Sequence, residues 1–445
     1  MRLVRSLLAV AVLSILALPL AAAQTVPAPP GTVQSANVTH LSTIPEPGVI
    51  GARFRGGIMY VSSTAGLSTW DISTAKTPKL LGRLPLPHFE NEDVDLGGNI
   101  LLISNDAAES RGVLFVIDIS DPKNPALLST FDMGGFAGVG GPGHTASCVA
   151  KCRFAWVTDG GGIKVIDLRN PAEPKDLGTK PVATGGLVVH DVQVDGNGLY
   201  WIAGFDGTAA YRIPANYDGS GLGTLVARTN ADGESRYDET FGTDDGSTYN
   251  DYIHHNSLRR KDKGVVYVTE EDYTRPQCKG AGSFQRWRLP LNKKGEPTRA
   301  DMTPIDQWST ELAGESTPTS VQCSAHYFDE NNGLVAQAWY QQGVRFLDVK
   351  GDKIRQVGYF ITPTNVDWAA YFAPTDKTGQ TVYTLDYTAG IHVLRIKRGS
   401  SVNTMGAVTA GEPLPTVTAP ILPSFFTAPV GLRASSTYGW ICPLP

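Results

Sequence analysis

Short apolar runs bounded by polar turns recur along most of the chain. In the clearest copies an apolar run ends in Asp, a polar turn containing Pro follows, and a second short run comes next. These copies are LSTWDISTAKTPKLLGRLPLP from Leu67, LFVIDISDPKNPALLSTFDMGG from Leu114 and IKVIDLRNPAEPKDLGTKPVATGG from Ile163. Weaker copies begin at Thr208, Phe284, Val344 and Ile391. Apolar runs bounded by turn residues predict β-strands.

Another apolar run precedes each copy, such as IMYVSS or FAWVTD, and one more candidate strand precedes that run. The unit therefore has four predicted strands and occurs seven times. Repeated four-stranded units of about 40 to 60 residues are typical of β-propeller blades. We predict an all-β fold, a seven-bladed β-propeller over residues 37–398. The seventh unit lacks its own last strand, so an N-terminal strand within SANVTHLSTI is expected to close the ring.

The two ends of the chain differ from the repeats. Basic MRLVR leads into an apolar run that ends in small residues, which is the pattern of a secretory signal peptide. We predict a signal peptide over residues 1–23, with an uncleaved membrane anchor as the alternative. Residues 24–36 are predicted to be a linker, and residues 399–445 a tail rich in Pro, Ser and Thr. The expected location is periplasmic or secreted, without stable membrane insertion.

The charge of the chain bears on its possible partners, and its cysteines bear on its possible disulfides. Removal of the signal peptide leaves 36 basic and 43 acidic residues, which changes the formal charge from −5 to −7. A mildly acidic chain is a poor candidate for binding nucleic acid. Export permits disulfides, and the chain has five cysteines. We predict the pairs Cys148–Cys152 and Cys278–Cys323, which leaves Cys442 in the tail.

The repeated strand motif resembles that of the LVIVD-repeat family. LFVIDISDPKNPALL from Leu114 carries the resemblance best, and the likeness extends from about Gly48 to Lys397. The resemblance implies a propeller. It leaves the activity open, because the family includes many members with no assigned role and a fold does not fix a function.

Four histidines occupy one position in four successive units, at the start of the first strand. They are His144, His190, His255 and His326. First strands are the innermost strands of propeller blades, so equivalent positions on them surround the central axis. Neighbouring strand residues face opposite sides, and the spacing favours His255 over His254 as the residue that faces the axis. We predict that the four imidazoles bind one transition metal; a water-filled polar channel is the alternative.

The ligand type restricts the metal. Imidazole suits iron, copper, nickel or zinc, whereas calcium and magnesium prefer oxygen. We expect iron or copper, with zinc less favoured. Glu92 in the second unit and Asp367 in the seventh fall at the same level. They are the candidate catalytic carboxylates, or else ligands, acceptors for the imidazole N–H groups, or a solvated rim.

Long loops, including residues 214–250, gather at the end of the propeller where these histidines lie. They are expected to form walls of a binding site for a small molecule whose identity the sequence leaves open. We predict a metal-dependent oxidoreductase, similar in arrangement to carotenoid-cleaving oxygenases and selenium-binding methanethiol oxidases. One alternative is a non-catalytic extracellular scaffold with a wet channel. A third is a metal-assisted hydrolase that uses Glu92 or Asp367 as its base.

Overall fold

The computed structural model describes the greater part of the chain. The described ranges are 30–46, 48–86, 94–108, 111–135, 142–182, 189–195, 198–204, 207–229, 253–260, 264–271, 282–298, 301–310, 324–351 and 353–399. Within them lie 29 strands in seven sheets. Several predictions fall outside these ranges, namely those on residues 1–23, Glu92, Cys278, Cys323, Cys442 and most of residues 214–250 and 399–445.

The first four sheets each run in simple up-and-down order. The first blade contains β3 (Val49–Arg55), β4 (Ile58–Ser63), β5 (Gly66–Asp71) and β6 (Lys79–Pro85). The second contains β7 (Val94–Gly97), β8 (Ile100–Ala108), β9 (Arg111–Asp118) and β10 (Ala126–Gly135). The third contains β11 (Ala146–Val149), β12 (Phe154–Asp159), β13 (Gly162–Asp167) and β14 (Lys175–Pro181). The fourth contains β15 (Val189–Val194), β16 (Leu199–Gly204), β17 (Gly207–Arg212) and β18 (Thr224–Arg228).

The remaining sheets follow the same order and include both N-terminal strands. The fifth blade contains β19 (Ile253–Arg260), β20 (Val265–Glu271), β21 (Ser283–Arg288) and β22 (Thr303–Trp308). The sixth contains β23 (Phe328–Asn331), β24 (Leu334–Ala338), β25 (Val344–Asp348), β26 (Arg355–Ile361) and β1 (Val33–Gln34). The seventh contains β27 (Asp367–Phe372), β28 (Thr381–Asp386), β29 (Gly390–Ile396) and β2 (Val38–Ile44).

The seam between the chain ends lies in the seventh blade. Strand β2 pairs antiparallel with β29 and supplies the outermost strand of that blade. This confirms the predicted closure by an N-terminal strand. Strand β1, inside the segment predicted to be a linker, pairs with β26 and adds a fifth strand to the sixth blade.

The apolar core lies between blades. The seven clusters of buried apolar residues each lie between two adjacent blades. Between the third and fourth blades, for example, Trp156 and Val165 pack with Tyr200 and Ile202. The innermost strands also contact their neighbours all the way round the ring. Each sheet thus buries both faces only because the ring closes, and apolar burial is the main stabilising term of folding.

The Asp of the repeated motif ends the third strand by forming a turn. Asp118 at the end of β9 accepts a hydrogen bond from the backbone N–H of Ser120, and Asp71, Asp167 and Asp348 do the same in their blades. A carboxylate that accepts from the N–H two residues on stabilises the chain reversal. The motif therefore encodes both an apolar strand and its end.

The hairpin between β11 and β12 carries the disulfide Cys148–Cys152, as predicted. Ala150, Lys151 and Cys152 all have positive φ angles in this turn. No helix in the described part of the chain is long and apolar enough to cross a membrane.

Candidate metal centre on the propeller axis

Irregularities at the start of two inner strands change the direction of two of the histidines. In the fourth blade Val189 pairs with Gly204 and Asp191 with Ala203, so His190 is an extra residue between them. His255 is the extra residue of the same kind of bulge in the fifth blade. A β-bulge redirects the side chain of its extra residue. His190 and His255 are therefore turned out of the ordinary strand alternation.

The four predicted histidines lie side by side as one buried group. Their ring centroids are separated by 4.5 Å from His144 to His190, 4.2 Å from His190 to His255 and 4.0 Å from His255 to His326. The Nε2 atoms of His144 and His190 are 3.0 Å apart. His255 and His326 are fully buried, and His144 and His190 are nearly so. The four histidines, which occupy equivalent positions in four consecutive blades, therefore form one cluster.

Residues of neighbouring blades form hydrogen bonds with the backbone or the ring of three of these histidines. The hydroxyl of Ser104 donates to the carbonyl oxygen of His144, and the hydroxyl of Thr145 donates to that of His190, each at 2.9 Å. His326 donates from Nδ1 to the carbonyl oxygen of Trp368 in the seventh blade at 2.6 Å. Because this bond places the proton on Nδ1, Nε2 of His326 carries the lone pair that a metal would need.

A fifth group, Glu271, lies among the rings at the end of β20. Its Oε2 atom is 3.5 Å from Nε2 of His190 and 3.7 Å from Nε2 of His255, and its Oε1 atom is 4.0 Å from Nε2 of His326. The side chain is fully buried. A buried carboxylate beside imidazoles requires compensation by a proton or a cation.

Tyr340 fixes the other carboxylate oxygen. Its hydroxyl donates to Oε1 of Glu271, and its ring packs on His326 and Trp368 at 4.9 and 5.3 Å between centroids. Its backbone exchanges two hydrogen bonds with Asp367, at 3.0 and 3.2 Å. Its φ angle is +39°, in a region that non-glycine residues rarely occupy. Backbone strain of this kind is concentrated at functional sites.

The spacing of the donor atoms fits a shared ion. Two ligands about 2.1 Å from one metal are about 3.0 Å apart at right angles and about 4.2 Å apart when opposite. The separations of 3.0, 3.5, 3.7 and 4.0 Å between these donor atoms fall within that range. One ligand atom from each of His190, His255 and Glu271 lies within 4.8 Å of the others, so these three residues form a candidate metal-binding set.

The electrostatics favour neutral imidazole. Burial lowers the pKa of His255 well below its ordinary value, and the nearby His326, His190 and His144 lower it further. A neutral ring offers a lone pair to a metal, whereas an imidazolium ring repels the ion. His254, the adjacent residue, has a different environment: its Nδ1 lies 3.0 Å from the hydroxyl of Thr208 and its ring packs on Trp287. His255 therefore lies in the histidine cluster, whereas His254 packs between β17 and β21.

Asp367 lies close by but faces a different set of residues. Its carboxylate accepts hydrogen bonds from Thr384 and Asn365 and is opposite Asp386 in the sheet. The bulge of the seventh blade makes Trp368 the extra residue, so Trp368 holds the place that His190 and His255 hold in the fourth and fifth blades. Burial and the neighbouring Asp386 raise the pKa of Asp367 well above its ordinary value. A raised pKa favours the protonated form of Asp367, which can donate a proton, whereas the general base considered from the sequence requires the charged form.

Sequence reasoning missed Glu271. The signal was present in VVYVTEEDY, where the second strand of the fifth unit ends in two carboxylates while the second strands of the other units end in Ser, Ala, Asp or Gly. Only the pairing of Ile253 with Glu271 shows that the last residue of β20 is level with the start of β19, beside His255.

Comparison with known proteins supports the fold. Residues 100–133 match the model of the LVIVD repeat. The chain carries an LVIVD repeat. These residues include β9 and the turn formed by Asp118. The crystal structure of the Cps50 (Swd1) β-propeller domain of Myceliophteria thermophila is similar, with a TM-score of 0.53 and 10% sequence identity. The match covers 81% of this chain and all of that domain, and at this identity it shows the propeller fold alone. No curated protein matches the chain.

Proposed function

We propose that the chain is an exported propeller whose axial histidines and Glu271 bind one transition-metal ion for an oxidoreductase reaction. The observation that carries the proposal is the position of Glu271 between His190 and His255. Two histidines and one carboxylate are the ligand set of many non-haem Fe(II) oxygenases. This donor set favours iron over copper, since the oxygen ligand is harder than imidazole. His144 and His326 would complete the coordination.

Residues around the cluster would serve the reaction in distinct ways. Tyr340 would orient Glu271, and Trp368 would orient His326 through its carbonyl oxygen. Asp367, and Glu92 from outside the described residues, are the candidates for proton transfer. The bound metal would supply redox chemistry or activate dioxygen. The substrate is proposed to be a small molecule, because the histidines and Glu271 form a small buried polar cluster among apolar and aromatic side chains.

Export is supported by two features. The N-terminal sequence has the three-part pattern of a signal peptide. The disulfide Cys148–Cys152 is of the kind that forms in oxidising compartments.

The test is metal analysis of the purified full chain. Protein from iron-supplemented cells is expected to contain about one iron per chain. His255→Gln is expected to lose the metal, whereas the matched variant His254→Gln should retain it, because His254 faces Thr208 and Trp287. If the wild-type protein binds neither iron nor copper after reconstitution, the proposal is contradicted and the non-catalytic scaffold is favoured.

A further inference from the structure

A second polar feature lies at the opposite end of the fifth blade from the histidine cluster. There the start of β20 and the end of β21 border a cleft of about 450 Å³. Its walls combine apolar side chains with the guanidinium groups of Arg286 and Arg288. The lining residues are Gly264, Val265, Arg286, Arg288, Leu289, Pro290, Leu291 and Ile305.

Arg286 is a buried cation without a carboxylate partner in the described part of the chain. It is 8% exposed. Its Nη1 atom donates to the carbonyl oxygen of Gly351 at 2.8 Å, while its Nε atom is buried and has no hydrogen-bond acceptor among the described residues. An unpaired buried charge is costly, and an unsatisfied buried donor adds to the cost.

The neighbouring carboxylate does not compensate this charge. Asp306 is opposite Arg286 in the sheet. Its two oxygens instead accept from Nζ of Lys353 at 2.8 Å and from the backbone N–H of Ile354 at 2.7 Å. Arg259 on β19 provides a contrast, because that buried arginine has Asp195 at 3.6 Å. Arg286 therefore lacks the counterion that its counterpart in the same blade possesses.

We propose that this cleft binds a small carboxylate with an apolar body. The carboxylate would pair with the guanidinium of Arg286 that lines the cleft, with the exposed Arg288 at the rim, and the body would lie against Val265, Leu291 and Ile305. Arginine binds carboxylates through paired N–H groups, and a cleft of this size that combines charged and apolar side chains can hold a small molecule that carries both kinds of group. The site is separate from the metal centre and does not depend on it.

Calorimetric titration of the full chain tests the proposal with three probes: octanoate, 1-octanol and inorganic phosphate. Octanoate is expected to bind one site per chain, at least about tenfold more tightly than either other probe, because only octanoate supplies both charge and apolar surface. Arg286→Met is expected to weaken octanoate binding at least about tenfold, and Arg286→Lys less, since the ammonium retains the charge.

A matched pair of rim variants provides the control. Arg288 ends the third strand of the fifth blade, and Arg212 ends the third strand of the fourth. Arg288→Gln should weaken octanoate binding, whereas Arg212→Gln should leave it unchanged. Circular dichroism and thermal melts establish that each variant is folded. The proposal is overturned if octanoate shows no saturable binding, if folded Arg286→Met binds it as wild type does, or if phosphate or octanol binds equally well.

Discussion

At the residue scale, Tyr340 is the side chain that determines how Glu271 faces the histidines. With the tyrosine hydroxyl on Oε1, Oε2 remains directed at His190 and His255. Tyr340→Phe removes that bond and leaves the packing on His326 and Trp368. We expect iron affinity to fall about 10- to 100-fold, the usual effect of losing a group that orients a ligand.

Anaerobic Fe(II) titration of the metal-free protein measures this effect. Tyr383→Phe is the matched control, since that buried tyrosine donates to the carbonyl oxygen of Ala75, away from the cluster. Equal iron affinity in wild type and Tyr340→Phe would show that Glu271 needs no orienting partner.

A second prediction concerns Asp329, the second residue of β23. Burial raises the pKa of this carboxyl to about 6, although the backbone N–H groups of Phe372 and Glu330 favour its charged form. The folded protein therefore holds a proton that the unfolded chain releases near pH 4. It follows that the free energy of unfolding falls as pH rises from about 4 to about 6, by an estimated 1–3 kcal/mol from this group.

Asp329→Asn should remove this dependence on pH, because the amide does not titrate, while its single oxygen can accept only one of the two N–H bonds that Oδ1 and Oδ2 accept. Denaturant unfolding at pH 4, 5 and 6 measures it. The account of Asp329 fails if the variant and wild type show the same change in stability with pH.

At the scale of single strands, the seam hairpin between β28 and β29 requires glycine at position 390. Gly390 has a φ angle of +109°, and a Cβ atom there would lie 2.2 Å from the carbonyl oxygen of Ile44. Gly390→Ala is expected to destabilise the protein by about 2 kcal/mol or more, because it combines backbone strain with a clash against β2.

Thermal and urea unfolding test this expectation against Gly221→Ala. A Cβ atom at Gly221 meets no atom within 4 Å. Similar stabilities for the two alanine variants would mean that β2 moves readily and that the seam is loosely packed.

The strands also show what the sequence could and could not predict. The apolar runs ending in Asp predicted the third strands, and the distance from histidine to the next run predicted the shared level of His144, His190, His255 and His326. The bulges were not predictable, because one extra residue leaves no mark in the hydrophobic pattern. For that reason Asp367 was aligned with the histidines, although Trp368 holds the equivalent place. The position of Glu271 beside the histidines could be recognised only from the pairing of β19 with β20.

At the scale of the whole molecule, stability depends on closure of the ring. Seven apolar clusters lie between adjacent blades, and the one between the seventh and first includes Ile44 from β2. A chain beginning at Gly48 lacks β1 and β2. We expect it to unfold at a lower temperature and to expose apolar surface, because blade seven loses its outermost strand and a ring-closing contact.

Calorimetry and binding of a hydrophobic dye measure this, with a chain beginning at Pro30 as the control that keeps both strands. If the two truncated proteins melt at the same temperature, closure through β2 contributes little to stability.

The central claim is that side chains from several blades hold one ion on the propeller axis. X-ray absorption spectroscopy at the iron edge of the iron-loaded full chain tests it most directly. We predict a shell of nitrogen and oxygen ligands at about 2.1 Å with the outer scattering of at least two imidazole rings. The Glu271→Gln variant should have one oxygen ligand fewer in this shell. The Glu270→Gln variant should give the same spectrum as wild type. Iron that is not retained, or a spectrum without imidazole scattering, would contradict the account.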